Sequence, residues 1–215
     1  METRLLLEAV TAEFGRTAAT TPGWPDPHPD GAEPVEEEYS RCTEPGKYRI
    51  LHARARAWTR ALIDAGLATL EEVADPGDAW REVPSVTPET AIRVRPTRDG
   101  ALCLLLGFAS LSGVPDAVAI IGAAEPAVYL ATVPDCGCDA CDSGSDDLLS
   151  QFDEQVLSVV EGDFVHVTTK RGRVIGMRSG WSAEHRGDVR HVETILADAR
   201  RGRSRYPTVH GAAWY

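Results

Sequence analysis

An α+β fold, with a mainly antiparallel sheet of about six strands covered by helices, is predicted by three features of the chain. Strand-like runs between residues 91 and 133 are joined by connections too short for crossover helices, which favours antiparallel pairing. Apolar residues recur at helical spacing on either side of that stretch. No Gly-rich phosphate loop opens a helix after a strand. The nearest approach, Gly172-Arg173-Val174-Ile175-Gly176, lacks both the spacing and a following helix, so nothing supports a nucleotide-binding fold.

In chain order, Leu6, Leu7, Val10 and Phe14 mark a short amphipathic helix over residues 5–14 that Gly15 can end. Residues 20–34 hold Pro22, Pro25, Pro27, Pro29 and Pro34, which forbid a helix and predict an extended or turn-rich arm. After the acidic run Glu36-Glu37-Glu38 and the Pro45-Gly46 turn, Tyr48, Leu51, Ala55, Trp58, Leu62 and Ala65 share one helical face, and Gly66 supplies a stop. A second helical piece is expected over 67–73. Strands are expected at 91–95, 101–108, 117–121 and 127–133, with turns at Asp99-Gly100 and Glu125-Pro126. Ser145 is placed to cap a helix carrying Leu149, Phe152, Val156 and Val159. A hairpin around Lys170-Arg171-Gly172 joins strands at 164–168 and 174–177, and a last helix spans 189–200.

The chain's 215 residues suffice for a single domain with a substantial core, the proline-rich arm at 20–34 being its appendage. A 43% hydrophobic and 26% charged composition is that of a folded protein. The net charge of −11 argues against nucleic acid or an anionic membrane as partner. Charge is uneven: between Lys170 and Arg205 ten Lys/Arg face four Asp/Glu, a local +6 that leaves −17 for the remainder. A solvated basic face is the plainest account of that run. The start of the chain has too short an apolar run for a signal peptide, and Gly107, Pro115, Asp116 and Glu125 interrupt the most apolar region before about 18 residues accumulate. Five cysteines, an odd number, without export features make the cytoplasm the expected compartment.

The residues that carry chemistry are Cys136, Cys138 and Cys141, three sulfurs within six positions, flanked by Asp135 and Asp142. Cys138-Asp139-Ala140-Cys141 has the C-x-x-C spacing of a zinc knuckle, and Cys136 can reach the same ion through the Gly137 turn. Gly137 is expected to supply backbone angles that closely spaced ligands demand. The positive end of the helix beginning near Ser145 can stabilise thiolates. A fourth ligand is not visible; Cys42, His28, Asp135, Asp139 and Asp142 are candidates. The main expectation is a structural zinc site in a binding or interaction module whose partner is a protein or a small molecule. A thiol-redox or metal-dependent enzyme using the same cysteines, with His28 or Asp26 from the arm, is the competing reading. Three reduced thiols in a surface turn are a third.

Elsewhere the chemistry is plain. Trp24-Pro25-Asp26-Pro27-His28-Pro29-Asp30 reads first as an arm anchored by Trp24. His166 reads as a satisfied or partly exposed sheet histidine, and His185 and His191 as capping or solvent-exposed groups near a helix start. Neither a G-x-S-x-G elbow nor an H-E-x-x-H helix occurs.

Four stretches carry a resemblance: residues 24–29, residues 37–41, residues 45–51, and above all Asp135-Cys136-Gly137-Cys138-Asp139-Ala140-Cys141-Asp142-Ser143-Gly144-Ser145-Asp146. With them the chain resembles a family of proteins from high-GC bacteria grouped as a domain of unknown function. The resemblance implies no activity, cofactor or catalytic residue.

Overall fold

The computed structural model describes residues 2–184 and 189–215. Among the described residues four α-helices and nine strands follow in the order α1 (Thr3–Thr17), α2 (Ile50–Asp64), β1 (Ala68–Glu72), β2 (Thr90–Pro96), β3 (Leu104–Leu111), β4 (Val114–Ala123), β5 (Val128–Val133), α3 (Ser145–Val160), β6 (Val165–Thr169), β7 (Gly172–Met177), β8 (Gly180–Ala183), α4 (Val189–Arg200) and β9 (Thr208–His210). The class is α+β, as the sequence predicts. The strands form two antiparallel sheets rather than one of six, with orders β1-β2-β3-β4-β5 and β8-β7-β6-β9. The strands that escape a pattern search, β1, β8 and β9, are short elements at sheet edges, mostly exposed and without a buried alternation.

Apolar side chains explain the layering. Leu104, Leu106, Phe108 and Ile121 pack with Leu51, Trp58 and Leu62 of α2 and with Phe152 and Val156 of α3 in the main core. The opposite face of the same sheet, with Ala91, Leu105 and Ile120, is covered by Trp80 from the β1–β2 connection. On the second sheet Val165, Val167 and Val174 pack beneath Val192, Ile195 and Leu196 of α4. No helix among the described residues is long and apolar enough to cross a membrane.

Several local expectations change, each for a tertiary reason. Residues 67–73 are not helical. Gly66, at φ +71°, closes α2 with hydrogen bonds from its own N–H to Ile63 and from Leu67 N–H to Leu62. The chain beyond then pairs as β1 with β2, where Glu71 takes Arg93 and Arg95 at 2.8 Å each. Gly15 does not end α1, which continues to Thr17, whose hydroxyl donates to the Ala53 carbonyl of α2 at 3.1 Å. The strand expected from residue 101 begins at Leu104.

His166 is buried at 5% exposure on β6, and its Nδ1 has no partner among the described residues, so it is not the satisfied or partly exposed histidine expected. Its burial, then Arg173 and Arg81, holds its pKa below the usual histidine value. His191 lies exposed on α4, and His185 lies outside the described residues.

Candidate metal centre

Between β5 and α3 the chain crosses from sheet to helix in a loop that a short 3-10 turn, Asp139–Cys141, curls back on itself. The turn is closed by hydrogen bonds from Cys141 N–H to Cys138 O (3.1 Å) and from Asp142 N–H to Asp139 O (3.3 Å). The curl brings the Cys136, Cys138 and Cys141 sulfurs within 4.8 Å of one another, and they are a set that can hold a metal ion. Cys136 Sγ lies 3.2 Å from Cys138 Sγ. Cys136 and Cys141 are exposed and Cys138 is half-buried.

The sulfurs are electrostatically distinct. Burial pushes the Cys138 thiol up, but hydrogen bonds from the Cys136 and Cys141 thiols and from the N–H groups of Cys141 and Ala140 outweigh it, and its pKa falls below the usual range. Cys141, which shares its proton with Cys138 and Cys136, is pushed up to about 12. The thiolate is therefore favoured by the turn's own donors.

Two aspartates of the segment are structural clamps. Asp139 Oδ1 accepts the Thr43 N–H at 2.9 Å, and Oδ2 accepts the Thr43 hydroxyl and Arg41 Nε, the latter at 2.8 Å. Asp139 N–H donates to Arg41 O at 2.9 Å. The Thr43 hydroxyl and N–H, then Arg41, bring the Asp139 pKa down to about 2. Asp142 is buried, accepts from Lys47, from the Trp24 indole N–H (2.9 Å) and from Gly144 N–H (2.9 Å), and stays below the usual carboxylate range although burial opposes this. The Lys47 ammonium lies over both Trp24 and Tyr48, whose rings meet edge-on with centroids 5.7 Å apart. Trp24 thus anchors the arm to the loop.

Gly144 is the N-cap of α3, at φ +86° and ψ 164°, a region reserved for glycine, and a Cβ there would stand 2.7 Å from Asp26 N. Ser145 accordingly does not cap α3. It lies in the first turn, where its hydroxyl and its N–H both bond the Trp24 backbone at 3.0 Å. Gly137 does not have a positive φ. Its lack of a side chain matters for close packing, because a Cβ would lie 2.7 Å from Leu111 Cδ2 at the end of β3.

The expected fourth ligands fare differently. Asp139 and Asp142 are engaged as described. His28 bonds Glu38 at 3.2 Å, and Asp26 Oδ1 accepts the His28 N–H at 2.8 Å, so these two side chains tie the arm to itself and to the acidic run that follows it. Cys42, between the clamped Arg41 and Thr43, is half-buried; burial and then Asp139 raise its pKa, and the charge of Cys138 reaches it. Its sulfur is nevertheless outside the 4.8 Å group, as is Asp135, which is exposed. Cys136 and Cys141 line a cavity of about 160 Å³ whose other walls include Tyr48, Asp135, Ser143 and Gln151. Lys47, Tyr48, Arg41 and Thr43 had no ligand-type signal in the sequence; they contact the loop from about a hundred positions upstream.

No curated protein and no solved structure matches the chain. A family model does match residues 10–215, nearly the whole sequence, and the chain belongs to that family, a family of unknown function (DUF6226).

Proposed function

We propose that Cys136, Cys138 and Cys141 bind one zinc ion and that the protein is a cytoplasmic single-domain binding module organised around that site. The convergence of three sulfurs within 4.8 Å carries this reading. Zinc suits such a set, being thiophilic and free of a geometric preference that three close thiolates would violate. Asp139 and Asp142 hold the loop in place independently of the sulfurs, so ion binding adds to an existing fold instead of creating it. Ile175 and Val209 of the second sheet belong to the same core as Leu104 and Leu106 of the first, which supports one cooperative unit.

Elemental analysis of protein purified without added metal tests the proposal: about one zinc per chain is expected, and none after Cys136, Cys138 and Cys141 are all replaced by serine. Removing the ion with a chelator is expected to lower the melting temperature by about 5–10 °C relative to protein with free zinc at ~100 times Kd. Absence of stoichiometric metal sinks the reading. The thiol-redox alternative draws support from the low pKa of Cys138 beside a sulfur at 3.2 Å. Metal-free protein with a reversible disulfide among the three cysteines is the result that would favour it.

A further inference from the structure

We propose that the fourth coordination position at Cys136, Cys138 and Cys141 is filled from outside the chain, and that its ligand is a small thiol admitted through the adjoining cavity. The inference rests on the metal reading above. Among the described residues, the three cysteines are the only His, Cys, Asp or Glu groups whose ligand atoms form such a set. Two nearby carboxylates are spent on other partners, Asp139 on Arg41 and Thr43 and Asp142 on Lys47, Trp24 and Gly144, while Asp135 of the cavity wall lies outside the 4.8 Å sulfur group. A tetrahedral ion held by three sulfurs keeps one position for an exogenous ligand.

The cavity gives that position a shape. Its volume of about 160 Å³ admits a few water molecules or a ligand of a few heavy atoms, and two of the three sulfurs form part of its wall. Tyr48 forms another part. The residue is only 2% exposed, its hydroxyl makes no hydrogen bond with any described residue, and burial, followed by Asp142, keeps the phenol protonated. The ring is buried while the hydroxyl keeps its own access to solvent, so this cavity-wall residue carries an O–H free to donate to an occupant.

Charge selects the class of ligand. Three thiolates and a divalent ion sum to −1, and Asp135 adds negative charge at the cavity wall. So electron-rich a set makes the ion a weak acid, and a bound water stays neutral and easily displaced. Hard anions meet the repulsion of that charge without the strong metal–sulfur bond that offsets it for a bound thiolate. A thiol arrives neutral and offers the donor atom zinc prefers. On binding, the metal–water bond breaks and water leaves. The S–H bond also breaks, the metal–sulfur bond forms from the sulfur lone pair, and the proton passes to solvent. The Tyr48 O–H then donates to the bound sulfur.

The test uses the full chain loaded with cobalt(II), kept reduced with a phosphine and titrated with 2-mercaptoethanol or, separately, imidazole. Addition of the thiol is expected to raise the sulfur-to-cobalt charge-transfer absorption by about a third, as three sulfur ligands become four. Tyr48→Phe is expected to load cobalt normally and bind the thiol about tenfold more weakly. Cys42→Ser is expected to behave as wild type. A spectrum indifferent to the thiol overturns the inference, and one that is also altered by Cys42→Ser identifies Cys42 as the ligand that closes the site. A response to imidazole without one to the thiol overturns it in favour of a nitrogen donor. Failure to bind cobalt at all removes the metal reading itself, which keeps the two failures separate.

Discussion

Asp142 does more to hold the cysteine loop than any of the sulfurs beside it. Its side chain is 4% exposed and it gathers a cation, an indole N–H and a backbone N–H from three different stretches of chain. Asp142→Ala leaves the Lys47 ammonium, itself 17% exposed, without its counter-charge, and is expected to destabilise the protein by about 2–4 kcal/mol in urea unfolding. Gly144→Ala acts at the neighbouring position by another route. It forces a side chain into a glycine-only conformation against Asp26, at a cost of about 1–3 kcal/mol for the backbone alone. Both changes loosen the contact between arm and loop, so the double variant should lose less stability than the two losses added together; simple additivity would mean that the contacts are independent.

At the scale of elements, α3 is fastened to α2 by Asp153, which accepts from Arg54 at 2.9 and 2.6 Å and from the Trp58 indole at 2.6 Å. Arg54 is 7% exposed, so Asp153→Ala strands a buried charge and is expected to cost about 3–5 kcal/mol by urea titration. Strand β6 supplies a pH-dependent contribution. The folded pKa of His166 lies below its unfolded value of 6.5, so the folded state prefers the neutral ring. That stability is complete above pH 6.5 and erodes as pH falls toward the folded value. Unfolding midpoints measured across this interval should decline in wild type and decline less in His166→Gln; parallel curves would show that His166 does not contribute.

Charge shapes the behaviour of the whole molecule. The basic stretch from Lys170 to Arg205 is partly neutralised inside the fold, with Arg173 on Glu82 and Glu184, and Arg178 on Glu154 and Glu161. It therefore helps join the second sheet to the rest. Stronger acid should act on the Asp139 clamp. The Asp139 pKa falls from 3.8 to about 2 on folding, so its stabilisation is intact above 3.8 and lost as pH drops toward 2. Stability curves of wild type and Asp139→Asn are expected to converge over that interval, and a gap that persists below pH 2 would assign the effect to packing.

The sequence by itself determined the α+β class, most helix and strand positions, and the three cysteines as one chemical group. Periodicity, turn residues and close spacing are local properties, and they survive without knowledge of contacts. Tertiary structure decided the rest. It split the strands into two sheets, because short polar edge strands become recognisable only beside their partners. It turned Asp139 and Asp142 from candidate ligands into clamps, since their partners Arg41, Thr43, Lys47 and Trp24 lie about a hundred positions upstream. It also kept Cys42 out of the sulfur group while setting Tyr48 in the cavity wall, a distinction that depends on where side chains end in space.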